Sequence, residues 1–484
     1  MKGKEVLSKK NSAEFALLKN QSQQYSKEKK MSKKVFAVLS ILVGLSMLLA
    51  ACATPGAPAP ATEAPAVTEA PEEPAGEIKI GFISAFTGVF SSFGTMQKEG
   101  AVLALEEFNY EVAGKKINVI YEDDQLDNEQ AVTKAKKLVE QDQVDVLTGL
   151  VSGDEGLTVG DYMKDKNIPV IPMYSASEDM TMRAFYPMLV RATWTGAQSQ
   201  DVFGYWLATE KGFKKIYQIG EDYSFPWNEG GGFVRGFCRG GGEDVTSVWF
   251  PPGSTSDFSS MIASIPLDQG YDAVYYNGAG GDAVNFIKQF VELGMLDKIT
   301  LVGQSNTFEK PDLGAMPKDI AGALSAHHTT DDLSTPEWVA FRDAFNERWG
   351  HPPSAASEFA YSSMRMILLA LEAVDGDVSD KTALVEAMLN VDMTKDPRGP
   401  VTLDPQYHSA TGNVYVREVA VDDSGELYNK GILTVENVSQ FGPYDPDLYI
   451  SQPPDGNAYP TGVCSELPAE MLEGGGYDYL PFGQ

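Results

Sequence analysis

Ile78-Lys-Ile-Gly-Phe-Ile83 is a short β-rich run, and the stretch Gly94–Asn109 behind it carries Ala101, Leu105 and Phe108 at helical spacing. The alternation continues through Ile117–Tyr121, Asn128–Gln141, Val144–Leu147, Leu157–Lys166 and Ile168–Ile171. Such a βαβαβαβ run requires a parallel sheet covered by helices on both faces. A second series starts after Thr193. It predicts helices at Gln198–Lys211, Asn228–Phe237, Ser256–Ile265 and Ala283–Leu293, between strands at Lys215–Ile219, Val245–Phe250, Ala273–Tyr276 and Ile299–Gly303. Two successive α/β units follow. A further strand-like run, Ala321–Ala326, precedes long helical patterns at Glu337–Arg348 and Ala355–Val374, the latter with Phe359, Met366 and Leu369 on one face. These late helices need a sheet to cover, and the first unit is their expected partner.

Composition narrows the function. Of 484 residues, 43% are hydrophobic and 22% charged, as in ordinary globular chains. Lys and Arg number 38 against 68 Asp and Glu, a formal net charge of -30, so a nucleic acid is repelled and is not an expected partner. Three cysteines do not make a disulfide framework, and four histidines leave little for a metal cage.

Ser32, Lys33 and Lys34 lead into the apolar run Val35–Ala51, which ends at Leu49-Ala-Ala-Cys52. Basic, apolar and small residues in that order form a secretory signal over residues 1–51, with Met31 as an alternative start. The last four residues resemble a bacterial lipobox, which implies lipidation of Cys52; an uncleaved membrane helix is the plain alternative. Either reading places the rest of the chain outside the cytoplasm. Residues 52–76, rich in Ala, Pro, Thr and Glu, read as an extended tether. Cys238 and Cys464 remain, and the sequence leaves open whether they pair.

Ile80-Gly-Phe-Ile-Ser-Ala-Phe-Thr-Gly88, Phe93-Gly94 and Tyr121-Glu-Asp-Asp-Gln125 resemble the opening of the leucine/isoleucine/valine-type solute-binding proteins of bacterial ABC transporters. Gly149-Leu-Val-Ser-Gly153, Ile168-Pro-Val-Ile-Pro172, Tyr174-Ser-Ala176, Arg191-Ala-Thr193 and Glu221-Asp-Tyr223 continue in the same order, as do Tyr271–Gly278, Gly399–Asp404 and Val414–Val419. The resemblance spans Glu77 to Asn437. It implies a type I periplasmic-binding-protein clamp, with two doubly wound parallel-sheet lobes joined by three hinge crossings. Lobe 1 is expected at 77–196 plus 328–414, lobe 2 at 197–327 plus 415–450, and a tail at 451–484. The crossings fall near Thr193–Ala197, Ser325–Thr329 and Tyr415. The resemblance further implies a monomer that closes on a small solute and delivers it to membrane permease subunits, without a cofactor.

Parallel sheets hold ligands at the carboxyl ends of their strands. Three first-lobe loops qualify, Thr87–Phe93, Ser152–Asp154 and Met173–Ser177. By resemblance, Ser152 and Ser175 grasp the solute's carboxylate and the Met173 carbonyl meets an amino group. Both serines also open capping-box patterns, so helix capping explains them equally. Phe93, Tyr223 and Phe225 fall where the family places aromatics against the solute, although a core role fits an isolated Phe. The family's acidic partner for an ammonium falls at or near Ser305, which is no carboxylate. Either Asp282 replaces it or the solute lacks an ammonium, as an aromatic or aliphatic acid, or an amide such as urea, would.

No nucleophile elbow, zinc-protease helix, phosphate-binding loop or Cys-x-x-Cys pair occurs, so an enzyme is not expected. His327 and His328 are consecutive on a strand and point to opposite faces, which argues against a shared metal ion. A ligand-sensing receptor domain of the same fold is the alternative function.

Overall fold

The computed structural model describes residues 76–88, 90–452 and 462–483. The signal segment, Cys52 and the tether expected before Gly76 lie outside these residues.

The first sheet has the order β2-β3-β1-β4-β5. Its strands are β1 (Glu77–Ser84), β2 (Glu111–Val112), β3 (Lys115–Asp123), β4 (Val146–Gly149) and β5 (Val170–Pro172). Ile80 of β1 faces Val119 on one side and Val146 on the other, both in parallel register. The winding therefore reverses at β1, and the crevice that reversal opens lies between the carboxyl ends of β1 and β4. Helices Ser91–Glu107, Asn128–Lys136 and Gly153–Met163 cover this sheet together with Pro336–Trp349, Ala355–Ala373 and Lys381–Leu389. The three late helices bury Trp338, Phe341, Ile367 and Leu384 with Ile78, Ile80 and Phe82 of β1. They return to the first lobe, as their apolar faces require.

The second lobe repeats the plan. β6 (Lys215–Glu221) pairs in parallel with β7 (Asp244–Phe250) and β8 (Ala273–Asn277), and β8 pairs with β9 (Thr300–Gly303). Here the reversal falls at β6. β10 (Leu324–His327) follows β9 in the sheet, and beyond it the strands turn antiparallel: β12 (Ala410–Val421), β13 (Leu427–Val438) and β14 (Leu480–Pro481) complete the row, while β11 (Thr402–Leu403) pairs with β12. The second sheet is therefore mixed, a parallel core with an antiparallel flank. Periodicity does not reveal that flank, because antiparallel hairpins and parallel strands share the same alternation.

The chain passes between lobes at the segment before helix Gly196–Thr209, after β10, and along β12. In β12, Ala410 and Tyr415 pack into the first-lobe core while Val414 and Val416 pack into the second.

Of the element boundaries that differ from expectation, two have a clear local cause. The helix expected from Asn228 begins at Ser224, because Pro226 sits in its first turn, where a missing N–H costs nothing. The helix expected over Ser256–Ile265 contracts to Ser259–Ala263: Asp257 Oδ1 accepts the Ser259 amide, and Thr255 and Asp257 hold a turn in its place. Cys238 and Cys464 form a disulfide with Cα atoms 5.1 Å apart.

Candidate functional site

The two crevices face each other, and the loops leaving their strands meet at a small cavity of about 20 Å³, room for about one water molecule while the lobes are closed. Phe90, Phe93, Leu126, Val151, Ser152 and Tyr174 line it from the first lobe. Tyr223, Phe225, Ala279 and Asn306 line it from the second. Four of these residues, Phe90, Ser152, Tyr223 and Ala279, are the N-caps of helices 17, 11, 16 and 13 residues long. Each helix start carries partial positive charge and amide N–H groups without intrahelical acceptors. Four positive helix ends therefore aim at the cavity, and none of its lining residues is Lys or Arg; carboxyl groups stand behind them, Glu221 accepting the Ala279 amide and Asp154 the Ser224 amide.

Its walls are aromatic. The Phe93 ring lies 5.4 Å from Tyr174, and Phe90 lies 6.3 Å from Tyr223 across the lobes. Trp194, buried at the first hinge, packs 5.6 Å from both Tyr174 and Phe225. The lobes are closed on each other through polar contacts as well. The Tyr174 hydroxyl donates to Asn306 Oδ1 at 2.8 Å, and the Glu178 amide donates to Asn228 Oδ1 at 3.0 Å.

Of the residues expected from sequence, Phe93, Ser152, Tyr223 and Phe225 share this cavity, while Met173, Ser175, Asp282 and Ser305 stand behind its walls. The Ser152 hydroxyl oxygen accepts the Glu155 amide at 3.1 Å and closes a capping box, as its pattern predicts, yet the residue also faces the cavity. Ser175 donates its hydroxyl to the Ser152 carbonyl at 2.6 Å, which turns it toward the backbone of the neighbouring loop. Met173 is fully buried in the first-lobe core, and its amide donates to the Gly149 carbonyl. Asp282 accepts the Gly253 amide at 2.6 Å, and Ser305 donates its hydroxyl to Glu229 at 2.7 Å. Glu229 is the carboxyl group beside Ser305; its full burial pushes its pKa well above the usual range.

A second carboxyl layer lies under the first-lobe loops. Glu155 Oε2 accepts the amides of Val151 and Ser152, and Asp124 Oδ1 accepts the Leu126 amide. Burial, then the Asp124 charge, pushes Glu155 up to about 8; burial also raises Asp124, to about 6. Through these amide contacts the two carboxyls hold the cavity loops at Leu126 and at Val151–Ser152.

Phe90 and Tyr174 lie in loops expected from sequence, although no pattern distinguishes either one from its neighbours. Asn306 is the neighbour of Ser305, and a strand-end loop shows its residue order without showing which member turns inward. Leu126 reaches the cavity through the turn at Asp124 and leaves no periodic signal.

Residues 77–426 match the periplasmic binding protein family. The chain belongs to that family. Among its relatives, Leu/Ile/Val-binding protein homolog 6 of Brucella melitensis is 30% identical over 364 residues, covering 74% of this chain and 92% of the relative. A solved solute-binding protein of an ABC transporter from Rhodopseudomonas palustris BisB5, in complex with 3,4-dihydroxybenzoic acid, is 27% identical with a TM-score of 0.71, covering 75% of this chain and 98% of that one. Another from R. palustris, in complex with 4-hydroxybenzoate, is 26% identical with a TM-score of 0.70, covering 75% and 98%. The binding protein has the type I clamp fold. It is the solute-binding subunit of an ABC importer, acting outside the cytoplasm on a small molecule that it passes to permease subunits.

Proposed function

We propose that the solute is a small carboxylate with an apolar, aromatic body and no ammonium group, a hydroxybenzoate being the representative member. One observation carries this reading: four helix N-termini converge on an aromatic-walled cavity whose lining residues include no carboxylate. The positive helix ends favour an anion, and no residue lining the cavity offers an ammonium a carboxylate. The aromatic acids held by the two Rhodopseudomonas structures are in keeping with it. In this reading Ser152 donates its hydroxyl to the carboxylate, Phe93, Tyr223 and Phe225 cover the ring, and Ser175 supports Ser152. Met173, Asp282 and Ser305 are supports of the wall.

A branched-chain amino acid is the second reading, favoured by the names of the Brucella relatives and by Glu229 beside Ser305. The test is a thermal-shift series with benzoate, 4-hydroxybenzoate, leucine and urea. The benzoates should raise the melting temperature by mass action and leucine should not; a shift with leucine alone returns the solute to the amino acids.

The proposal extends to the whole chain. The protein is a monomer, binds without chemically changing its solute, and hangs from a lipid on Cys52 by the tether over residues 53–76. Its lobes are 77–196 with 328–414 and 197–327 with 415–450.

A further inference from the structure

His327 lies at the end of β10, where the chain leaves the second lobe, and its ring is fully buried. The His328 backbone N–H donates to His327 Nδ1 at 2.8 Å, so Nδ1 is an acceptor and carries no proton. Burial and the nearby Arg417 guanidinium hold the pKa of His327 well below its ordinary value, and the ring is neutral. A neutral imidazole has one N–H, which is therefore on Nε2. That nitrogen stands 3.1 Å from Asn306 Oδ1.

An N–H aimed at an amide demands its oxygen, so the orientation of the Asn306 side chain is decided. The Tyr174 hydroxyl donates to the same oxygen. Tyr174 is itself held by Trp194, whose indole Nε1 donates to the Tyr174 carbonyl at 3.2 Å and whose ring lies 4.8 Å from that of His327. With two donors on Oδ1, the other end of the amide is its NH2 group. Among the described residues no acceptor takes those protons, and the nitrogen is not one of the polar atoms sealed off without a partner. Asn306 lines the cavity.

We infer that Asn306 is a specificity-determining residue, presenting an N–H donor that selects solutes with a hydrogen-bond acceptor at the end meeting the second lobe. His327 is its positioning residue. The inference rests on the carboxylate reading above and narrows it: an aromatic acid with an oxygen substituent on its ring is preferred over one with an amine, which is chiefly a donor.

Titration calorimetry on the full chain with benzoate, 4-hydroxybenzoate and 4-aminobenzoate tests it. The hydroxy acid should bind about tenfold more tightly than the amino acid of the same shape, the scale of one satisfied against one opposed hydrogen bond. Asn306→Leu should level the two. Asn306→Asp, which offers an acceptor, should reverse their order, and His327→Phe should erode the preference by freeing the amide to turn. The measured quantity is the ratio of the two affinities, which a general loss of stability does not move. Nitrogen-15 spectra of the unaltered protein supply a check that needs no variant: His327 Nδ1 should resonate as an unprotonated nitrogen. Benzoates that bind with an unchanged ratio in both Asn306 variants, or a proton on Nδ1, overturn the inference and leave the carboxylate reading standing. Failure of every benzoate to bind overturns both.

Discussion

Glu309 Oε2 accepts the backbone amide of Ala355 at 3.1 Å, so a second-lobe loop supplies a carboxyl acceptor to the first turn of a first-lobe helix. The contact joins the lobes without touching the cavity. Glu309 Oε1 accepts from Arg417 Nη1 at 3.3 Å, and the same guanidinium donates to Ser325 Oγ at 3.0 Å and to the Thr329 carbonyl at 3.1 Å. Arg417 sits in β12 and Thr329 follows β10, so one side chain ties two of the three crossings to the closure contact. Both charges are buried.

Removing one member of a buried pair leaves the other uncompensated. Arg417→Met should therefore lower the unfolding free energy by about 3–5 kcal/mol, measured by urea denaturation. Glu309→Gln keeps an acceptor for Ala355 but weakens the pull of Arg417. It should cost less stability than Arg417→Met, and its small-angle scattering without solute should shift toward a more open form.

The Asp124 and Glu155 pair gives the protein a pH response with a definite sign. Both carboxyls have folded-state pKa values raised above ordinary, to about 6 and about 8. A raised acid pKa means that the folded state holds its proton more tightly than the unfolded chain. The stabilisation is present in full below the ordinary pKa, near 4, and is lost as pH climbs through the folded value. His327 and His328 act in the opposite sense, since their lowered pKa values cost stability as pH falls below about 6.5. Melting temperature should accordingly decline from pH 6.5 to pH 8.5, a window in which the histidines are already neutral. Glu155→Gln still accepts the Val151 and Ser152 amides and cannot ionise, so its profile should be flatter over that window. An equal decline in the variant would place the response elsewhere.

Ser152 and Ser175 should separate under mutation. Ser152→Ala removes a helix cap, at a cost of about 1 kcal/mol, and also removes a hydroxyl from the cavity wall, so stability and solute affinity should both fall. Ser175→Ala leaves the Ser152 carbonyl with only the Gly156 amide as donor. Its cost should appear in the melting temperature first, with a smaller change in Kd. Fluorescence titration reports the affinities, because Trp194 is buried between Tyr174 and Phe225 at the closing face.

The alternation that begins at Ile78 is enough for two parallel-sheet units, because each strand and helix buries a face with its own period. The strand-end loops follow from that topology, while Phe93, Ser152, Tyr223 and Phe225 are singled out within such loops by the resemblance to the solute-binding family. What periodicity does not encode is the direction in which a loop residue turns. Ser305 points to Glu229 and its neighbour Asn306 to the cavity, a choice made by His327 and Tyr174 from distant parts of the chain. The tail is illegible for a related reason. Its Pro, Gly and Tyr residues have no repeating apolar face, and its Cys464 and strand β14 are held by partners far away in sequence.

The chain beyond residue 426, where the family match ends, braces both lobes. The Tyr449 hydroxyl donates to Glu178 Oε2 at 2.7 Å and the Tyr449 carbonyl accepts from Arg183 Nη2 at 3.1 Å, both partners belonging to the loops after β5. On the other side, the Tyr477 and Tyr444 hydroxyls donate to Asp201 in helix Gly196–Thr209 at 2.7 and 2.8 Å. The Cys238–Cys464 disulfide anchors this arrangement across a sequence separation of 226 residues. A crosslink closing so long a loop removes much of the unfolded chain's freedom, and loss of a native one typically costs about 2–5 kcal/mol. Outside the cytoplasm the bond persists, so reductant supplies the comparison directly. Treatment with a thiol, or Cys464→Ser, should lower the melting temperature and release the tail to limited proteolysis while the two sheets keep their far-ultraviolet circular dichroism. Loss of that spectrum together with the bond would mean that the tail is required for the fold itself; an unchanged melting temperature would mean that the tyrosine contacts hold it without the sulfur bridge.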